Sequence, residues 1–359
     1  MKVAILGAGL LGRLLAVALA RYGHAVVLHD AKGPQADGAA AWVAAAMLAP
    51  LAESVITEPP VVRMGLYGLT RWPELIAGLQ QPVYFQREGT LILWHRQDAA
   101  QAQLFGQRLA HNVQQLQASD LPHRLPTPER LNAQGLHALE PCLESRFQNG
   151  LFLPQEGQLD NRALLDALLH ELSQRQVALH WHSPQDVSSV RHLHADVDWV
   201  LDTRGMGARP HLPSLRGVRG EVVRVHAPDV PLSRPTRLLH PRYPIYIAPK
   251  PQGVFVIGAT EIESEDLSPA SVRSCMELMS AAYAVHPGFG EARILEIGVQ
   301  ARPTLPDNLP RIDCPEAGVM RINGLYRHGY LIAPAVVDAA LAWLLKGERD
   351  LAQQWQLCT

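Results

Sequence analysis

The first thirty residues change hydrophobic period twice. VAILGAG is an apolar run of strand length that stops at glycine, LLGRLLAVALARYG carries apolar residues at helical spacing up to Gly23, and AVVLHD is a second apolar run closed by Asp30. This is the pattern of a β-α-β unit. Further along, Thr57 to Gln80 reads as helix apart from a glycine-bearing stretch, and VYFQREGTLILWH reads as two strands around Glu88-Gly89. Gln101 to Gln117 has the polarity of a solvated amphipathic surface helix, and a proline-containing linker follows near Leu125 to Pro128. In FLPQEGQLDNRALLDALLHELSQR a turn rich in Gly, Asp and Asn feeds an amphipathic helix, with Asp160 or Asn161 as its cap. VALHWH and DWVLDTRGMGA add strands, Gly220 to Ala259 is rich in β patterns, and a last hydrophobic helix runs from about Ala333 to Lys346.

At 359 residues the chain is long enough for two domains sharing a core. Hydrophobic residues make up 47% and charged residues 18%, an ordinary globular composition. With Lys+Arg 32 against Asp+Glu 34 there is no electrostatic footprint for nucleic acid or for an anionic membrane. Cys142, Cys275, Cys314 and Cys358 are widely separated, which points away from a metal site or a disulfide framework and towards a reducing compartment. The N-terminus resembles a secretory leader only superficially, because Gly7, Gly9, Gly12 and Arg13 interrupt its apolar run. No window of about 20 uninterrupted apolar residues is present, so the expectation is a cytoplasmic protein without a membrane partner.

Gly7-x-Gly9-x-x-Gly12 falls between the first strand and the first helix, and Asp30 closes the next strand 18 residues later. Glycines there permit a tight turn, the helix N-terminus attracts a pyrophosphate, and Asp30 accepts hydrogen bonds from a ribose. The unit alone does not choose between FAD and NAD. The next stretch, AAAWVAAAMLAPLAE from Ala39 to Glu53, is built almost entirely of small residues, which lets backbone approach a large flat ligand; two helices packing through alanines would use the same composition.

These segments, taken in order, resemble the FAD-dependent D-amino-acid-oxidase superfamily, and within it the bacterial glycine-oxidase branch of ThiO type. GAGLLG with Asp30 resembles the ADP-binding start, and AAAMLAP the family's SAAGMLAP-type segment. FQREGTLIL, LEPCL, LPQEGQLDNRALLDAL, VRGEVVRV, YIAPKPQGVFVIGATEIE, ARPTLPDNLPRI and GLYRHGYLIAPA follow collinearly. The resemblance implies a Rossmann-like, glutathione-reductase-type α/β domain joined to an α+β substrate domain on a large, mainly antiparallel sheet. The expected FAD-binding domain comprises residues 1–82, 142–215 and 295–359, and the expected substrate domain 83–141 and 216–294. It further implies hydride transfer from a small amino acid or amine to flavin, with O2 reoxidising the flavin and releasing H2O2.

Carried over residue by residue, Arg302 in ARPTLPD matches the arginine that binds the substrate carboxylate, Arg327 in LYRHGYL matches a second arginine beside the flavin, and Tyr246 matches a substrate-contacting tyrosine. Arg327 is expected to be neutralised by the substrate carboxylate. The cofactor would meet Gly7, Gly9, Leu10, Leu11, Gly12 and Asp30, then Ala45, Ala46 and Met47, then the backbone of Leu325, Tyr326, Arg327, His328, Gly329, Tyr330, Leu331 and Ile332. For His328 the backbone N–H, rather than the ring, is expected to face the flavin. A helix N-terminus at this point would also favour the negative charge of a reduced flavin. Gln300 stands where sarcosine-oxidase relatives carry the cysteine that attaches flavin, so FAD is expected to be bound non-covalently. Departures from the family pattern are Ala46 in place of a glycine, His328 in place of an asparagine, and DTRGMGA in place of an SGxWS form. A D-amino-acid dehydrogenase that reduces a quinone, a tRNA-modifying oxidoreductase and a non-catalytic flavin-binding relative stay open as alternatives, as does a homo-oligomeric state.

Overall fold

A computed structural model describes residues 1–118, 125–143, 146–241 and 244–358. The N-terminal unit is β1 (Lys2–Leu6), α1 (Leu10–Arg21) and β2 (Ala25–His29). Around it a six-stranded sheet runs in the order Arg311–Asp313, Val319–Asn323, Trp199–Asp202, β1, β2, Ala178–His180, with every pairing parallel except the first. Both faces are covered, as a parallel sheet requires. Val3 and Ile5 belong to the core that contains α1, whereas Ala4 and Leu6 pack with Val190 of helix Val187–Leu193. The helix Asn161–Gln174 is capped by Asp160, whose carboxylate accepts from the Arg162 and Ala163 N–H groups; Asn161 is buried and donates to the Ala41 and Trp42 carbonyls.

The last long helix runs from Gly329 to Lys346, four residues longer at its start than the hydrophobic pattern indicates, and follows a 3₁₀ turn over Tyr326–His328. Pro334 lies inside it. A proline has no N–H to offer the carbonyl four residues back, and that carbonyl, Tyr330 O, accepts instead from the buried indole N–H of Trp72 at 2.8 Å. Trp72 belongs to helix Pro59–Ala77, which passes through Gly65 and Gly68 without interruption. These glycines are where the two helices touch: a methyl group on Gly68 would sit 2.3 Å from the Leu331 carbonyl oxygen. The last helix is long and apolar enough to cross a bilayer, but 72% of its most apolar window is buried inside the protein.

The second layer is an eight-stranded sheet in the order Arg293–Thr304, Arg216–His226, Val254–Gly258, Ile245–Lys250, Thr236–Leu239, Thr90–Trp94, Asn149–Leu153, Glu129–Asn132. It is antiparallel apart from the pairing of Thr236–Leu239 with Thr90–Trp94. Asn149–Leu153 and the whole of Arg293–Thr304 hydrogen-bond into this sheet. A three-stranded sheet of Met47–Leu48, Gly157–Leu159 and Phe85–Gln86 lies at the junction. On an exposed helix a glycine-to-alanine change stabilises by about 1 kcal/mol; Gly68→Ala is expected to cost about 1–3 kcal/mol in chemical denaturation because the methyl overpacks the helix contact. An unchanged midpoint would show that the helices separate freely.

Candidate active site

The glycine loop is shaped by what it cannot accommodate. Gly7 has φ +95°, and a Cβ on Gly12 would lie 1.9 Å from the Gly7 carbonyl oxygen, so the loop closes only without those side chains. Gly9 precedes α1 without a side-chain cap, leaving first-turn N–H groups for an anion. Asp30 braces the loop: its Oδ2 accepts from Ala8 N–H at 2.6 Å and its Oδ1 from Lys32 N–H at 2.7 Å. Arg13, fully buried in α1, donates to the carbonyls of Ala8, Leu165 and Pro34 at 2.7, 2.8 and 2.5 Å. Its burial pushes its pKa down.

From this loop a cavity of about 1400 Å³ extends to the eight-stranded sheet. Ordinary ligand pockets run to roughly 300–1,000 Å³, so this one has room for a dinucleotide and a small substrate together. Gly7, Gly9, Leu10, Leu11 and Asp30 line one end, Ala45, Ala46 and Met47 the side, and Tyr246, Arg302 and Arg327 the other end. Leu325, Tyr326, His328, Gly329, Tyr330 and Leu331 line it as well, with nothing to obstruct a Cβ at Gly329. Gly12 and Ile332 do not reach the wall: Gly12 packs beneath the loop and Ile332 is fully buried in the core. Gln300 lines the cavity and none of the four cysteines does. The helix Ala99–Gln117, which its polarity suggests is a solvated surface element, contributes Gln101, Leu104, Phe105 and Arg108 to the wall.

The alanine side of the wall is held from behind. The Lys250 ammonium, completely enclosed, donates to Ala45 O and Leu159 O at 2.8 Å and to Gln158 Oε1 at 2.9 Å, and burial pushes its pKa down to about 7. Ala46 adopts φ +53°, a left-handed conformation that L-residues other than glycine hold at a cost. Ala46 O accepts from Leu159 N–H at 3.1 Å, which keeps the strained residue in place.

At the far end several charges converge. Glu53 Oε1 accepts from Arg237 Nη2, its Oε2 lies 3.4 Å from Arg327 Nε, and His328 Nδ1 is 3.6 Å from the same oxygen. Burial opposes the Glu53 charge, but the two guanidinium groups and His328 outweigh it and hold its pKa well below the carboxylate range. Arg327 also donates to Glu261 Oε2 at 2.7 Å, and Tyr326 donates its hydroxyl to Glu261 Oε1. Arg327 is therefore neutralised by Glu53 and Glu261, where the sequence leads one to expect a substrate carboxylate. His328 is buried, contacts Thr57 Oγ1 at 3.2 Å, and has its pKa lowered to about 4 by burial, so its ring is neutral at pH 7.

Arg302 differs from its neighbours Arg237 and Arg327, which are both ion-paired. It donates only to Arg219 O and Thr260 O, at 3.3 and 3.1 Å, and no carboxylate among the described residues lies within ion-pair distance. Burial, reinforced by the like charge of Arg327, lowers its pKa. Tyr246 stands beside it: its hydroxyl would lie 2.7 Å from a Cβ on Gly258, and burial raises its pKa while Arg302 opposes the rise. Glu53, Arg237, Glu261 and Lys250 are structural members of the site that residue patterns do not single out. The one available signal is a charged residue inside an otherwise apolar segment, as in TRLL and IAPK.

Two substitutions test this construction. Glu53→Gln leaves two half-buried guanidinium groups short of charge and is expected to cost about 1–3 kcal/mol. Because the folded pKa of Glu53 is depressed, its contribution is complete above the unfolded value of about 4.3 and declines as pH falls through and below it, so the variant's deficit should shrink on acidification. Ala46→Gly relieves the left-handed strain and is expected to raise stability by about 1 kcal/mol in thermal or denaturant unfolding.

The chain matches the family described as FAD dependent oxidoreductase over residues 2–342. It is 39% identical over 345 residues to a putative thiamine biosynthesis oxidoreductase ThiO of Rhizobium etli, covering 96% of this chain and 97% of the relative. It is 26% identical to a bifunctional ThiO/ThiG protein of Trichormus variabilis, over 97% of this chain and 53% of that one. The fold is shared with iminodiacetate oxidase from Chelativorans sp. BNC1 (TM-score 0.79, 22% identity, 99% of each chain). It is shared equally with glycine oxidase from Geobacillus kaustophilus (TM-score 0.79, 22% identity, 99% of this chain and 98% of that one). With a glycine cradle, a capacious cavity and a family match that spans nearly its whole length, this chain belongs to the DAO family of FAD dependent oxidoreductases.

Proposed function

We propose that the protein oxidises glycine or another small amino acid, and that the observation carrying this reading is the half-buried guanidinium of Arg302, which faces the cavity without a carboxylate partner. A planar guanidinium grips a carboxylate through two parallel hydrogen bonds, which sets orientation as well as position. Arg237, Arg302 and Arg327 stand against Glu53 and Glu261, so the site has one positive charge to spare and a monoanionic substrate balances it. That surplus also disfavours a protonated substrate amine, which must lose its proton before its α-carbon gives up hydride. Tyr246 offers its hydroxyl to the same carboxylate, and burial keeps that hydroxyl protonated.

Bound FAD supplies the acceptor for the two electrons and returns them to O2. In the net reaction an amino acid, O2 and water give a 2-oxo acid, ammonia and H2O2, with the imine hydrolysing after release of the hydride. The residues' part is positioning, which lowers the barrier by fixing the α-carbon rather than by acid-base work. Gly7, Gly9, Leu10, Leu11 and Asp30 would hold the ADP portion, and Ala45, Ala46, Met47 and the Leu325–Leu331 backbone would flank the isoalloxazine. The identity to the Rhizobium protein supports thiamine biosynthesis as the use of the product.

Anaerobic mixing with glycine, sarcosine and D-amino acids should bleach the flavin absorbance, and readmitted air should yield H2O2. Bleaching without H2O2 would make the protein a dehydrogenase for another acceptor, and failure to bind FAD would end the reading. Arg302→Ala should keep its flavin spectrum and lose about 10²–10³-fold in kcat/KM, the equivalent of about 3–4 kcal/mol for a charge-assisted bidentate contact. An unchanged kcat/KM would show that Arg302 is structural.

A further inference from the structure

At the opposite edge of the parallel sheet from Arg311–Asp313, three histidines from separate elements meet. His29 ends β2 and His180 ends the neighbouring strand, and the two are direct partners in a parallel register. Such partners project to the same face about 4.8 Å apart; here the rings stack with centroids 4.5 Å apart and planes 12° from parallel. His194 closes the C-terminal end of helix Val187–Leu193 over that face, with its Nε2 3.0 Å from His29 Nε2. One ring nitrogen from each residue lies within 4.8 Å of the others.

We propose that His29, His180 and His194 form a binding site for a divalent transition-metal ion of the zinc type. Two imidazole Nε2 atoms facing each other at 3.0 Å share a hydrogen bond when one ring carries its proton there, and offer two lone pairs to a cation when both protons sit on Nδ1. Nitrogens sharing one zinc at bond lengths of about 2.0–2.1 Å stand about 3.3 Å apart in a tetrahedron, so a small opening of the pair admits the ion. Ser183 Oγ lies 3.1 Å from His29 Nδ1 and also accepts from Gln185 Nε2 at 3.2 Å. In the tautomer with the proton on Nδ1, His29 donates to Ser183 Oγ and presents Nε2 as a ligand, the role an outer hydrogen-bond partner plays for a metal-bound histidine.

The three rings come from separate elements and each turns one nitrogen toward the same point, so the cluster is a preformed set of imidazole ligands. Lys2, the cation that acts on His194, is paired with Asp196 at 2.6 Å. His29 is buried, His194 half-buried and His180 exposed, which leaves the fourth position to water from the solvent side. With three protein ligands and no redox demand, the ion would clamp β2, the strand Ala178–His180 and the helix Val187–Leu193 together beside Asp30. His29 and Ser183 also line the end of the large cavity next to Asp30, whereas His180 and His194 do not, so these two ligands are the positions at which the ion can be tested apart from the flavin.

The test uses tag-free, flavin-loaded protein stripped with a chelator and then equilibrated with zinc ion alone. Wild type should retain one zinc per chain in competition with a chromophoric chelator, and zinc should raise its Tm. His180→Gln and His194→Gln should each weaken retention at least tenfold and abolish the Tm shift, while flavin content stays at the wild-type level. Ser183→Ala should weaken it by about tenfold, and His111→Ala, an exposed residue outside the cluster, should change nothing. Failure of wild type to retain zinc, or equal retention by the two glutamine variants with normal flavin content, would overturn the proposal.

Discussion

Drawing a guanidinium partly out of water costs free energy unless its charge is compensated, and half-buried Arg302 receives only two backbone carbonyls to offset that cost. The surrounding structure keeps the charge available by satisfying the others first. Glu53 is occupied by Arg237 and Arg327, and Glu261 by Arg327 and the Tyr326 hydroxyl. A carboxylate free to swing onto Arg302 would quench the site, so the ion pairs around it act as much by engaging the acids as by holding the arginines.

The same economy joins the two sheets. The eight-stranded sheet presents Tyr246, Arg237 and Arg302, and the parallel sheet brings the glycine loop; between them the alanine segment must stand close to the ligand without collapsing into the space. Lys250 prevents that from the rear through three hydrogen bonds to groups of the junction. A lysine buried this completely is costly, and its presence behind a wall of small residues explains how side chains too small to pack firmly still define a surface.

Legibility in the sequence followed the distance between partners. The β1-α1-β2 unit, Asp30 and the Asp160 cap depend on neighbours within about twenty residues, and the periodicity with turn chemistry exposes them. Arg302, Tyr246 and Arg327 come from strand and turn positions with no local pattern, and only the resemblance of their segments to a family draws them together. The Glu53–Arg237–Arg327 arrangement spans most of the chain, so no window contains it. The start of the last helix escaped for another reason: Gly329 is a poor helix former and Pro334 signals interruption, whereas the Trp72 indole, more than 250 residues earlier, supplies what the proline removes.

That indole bond also constrains how the protein is able to change over descent. Pro334 without Trp72 strands a buried acceptor, and Trp72 without the freed Tyr330 carbonyl strands a buried donor, so each intermediate between the present pair and an ordinary one is less fit for folding than either end point. The two positions form a ratchet. A lineage that acquired both is held to them, and the path of the chain past the cavity-lining residues Tyr330 and Leu331 is held with them.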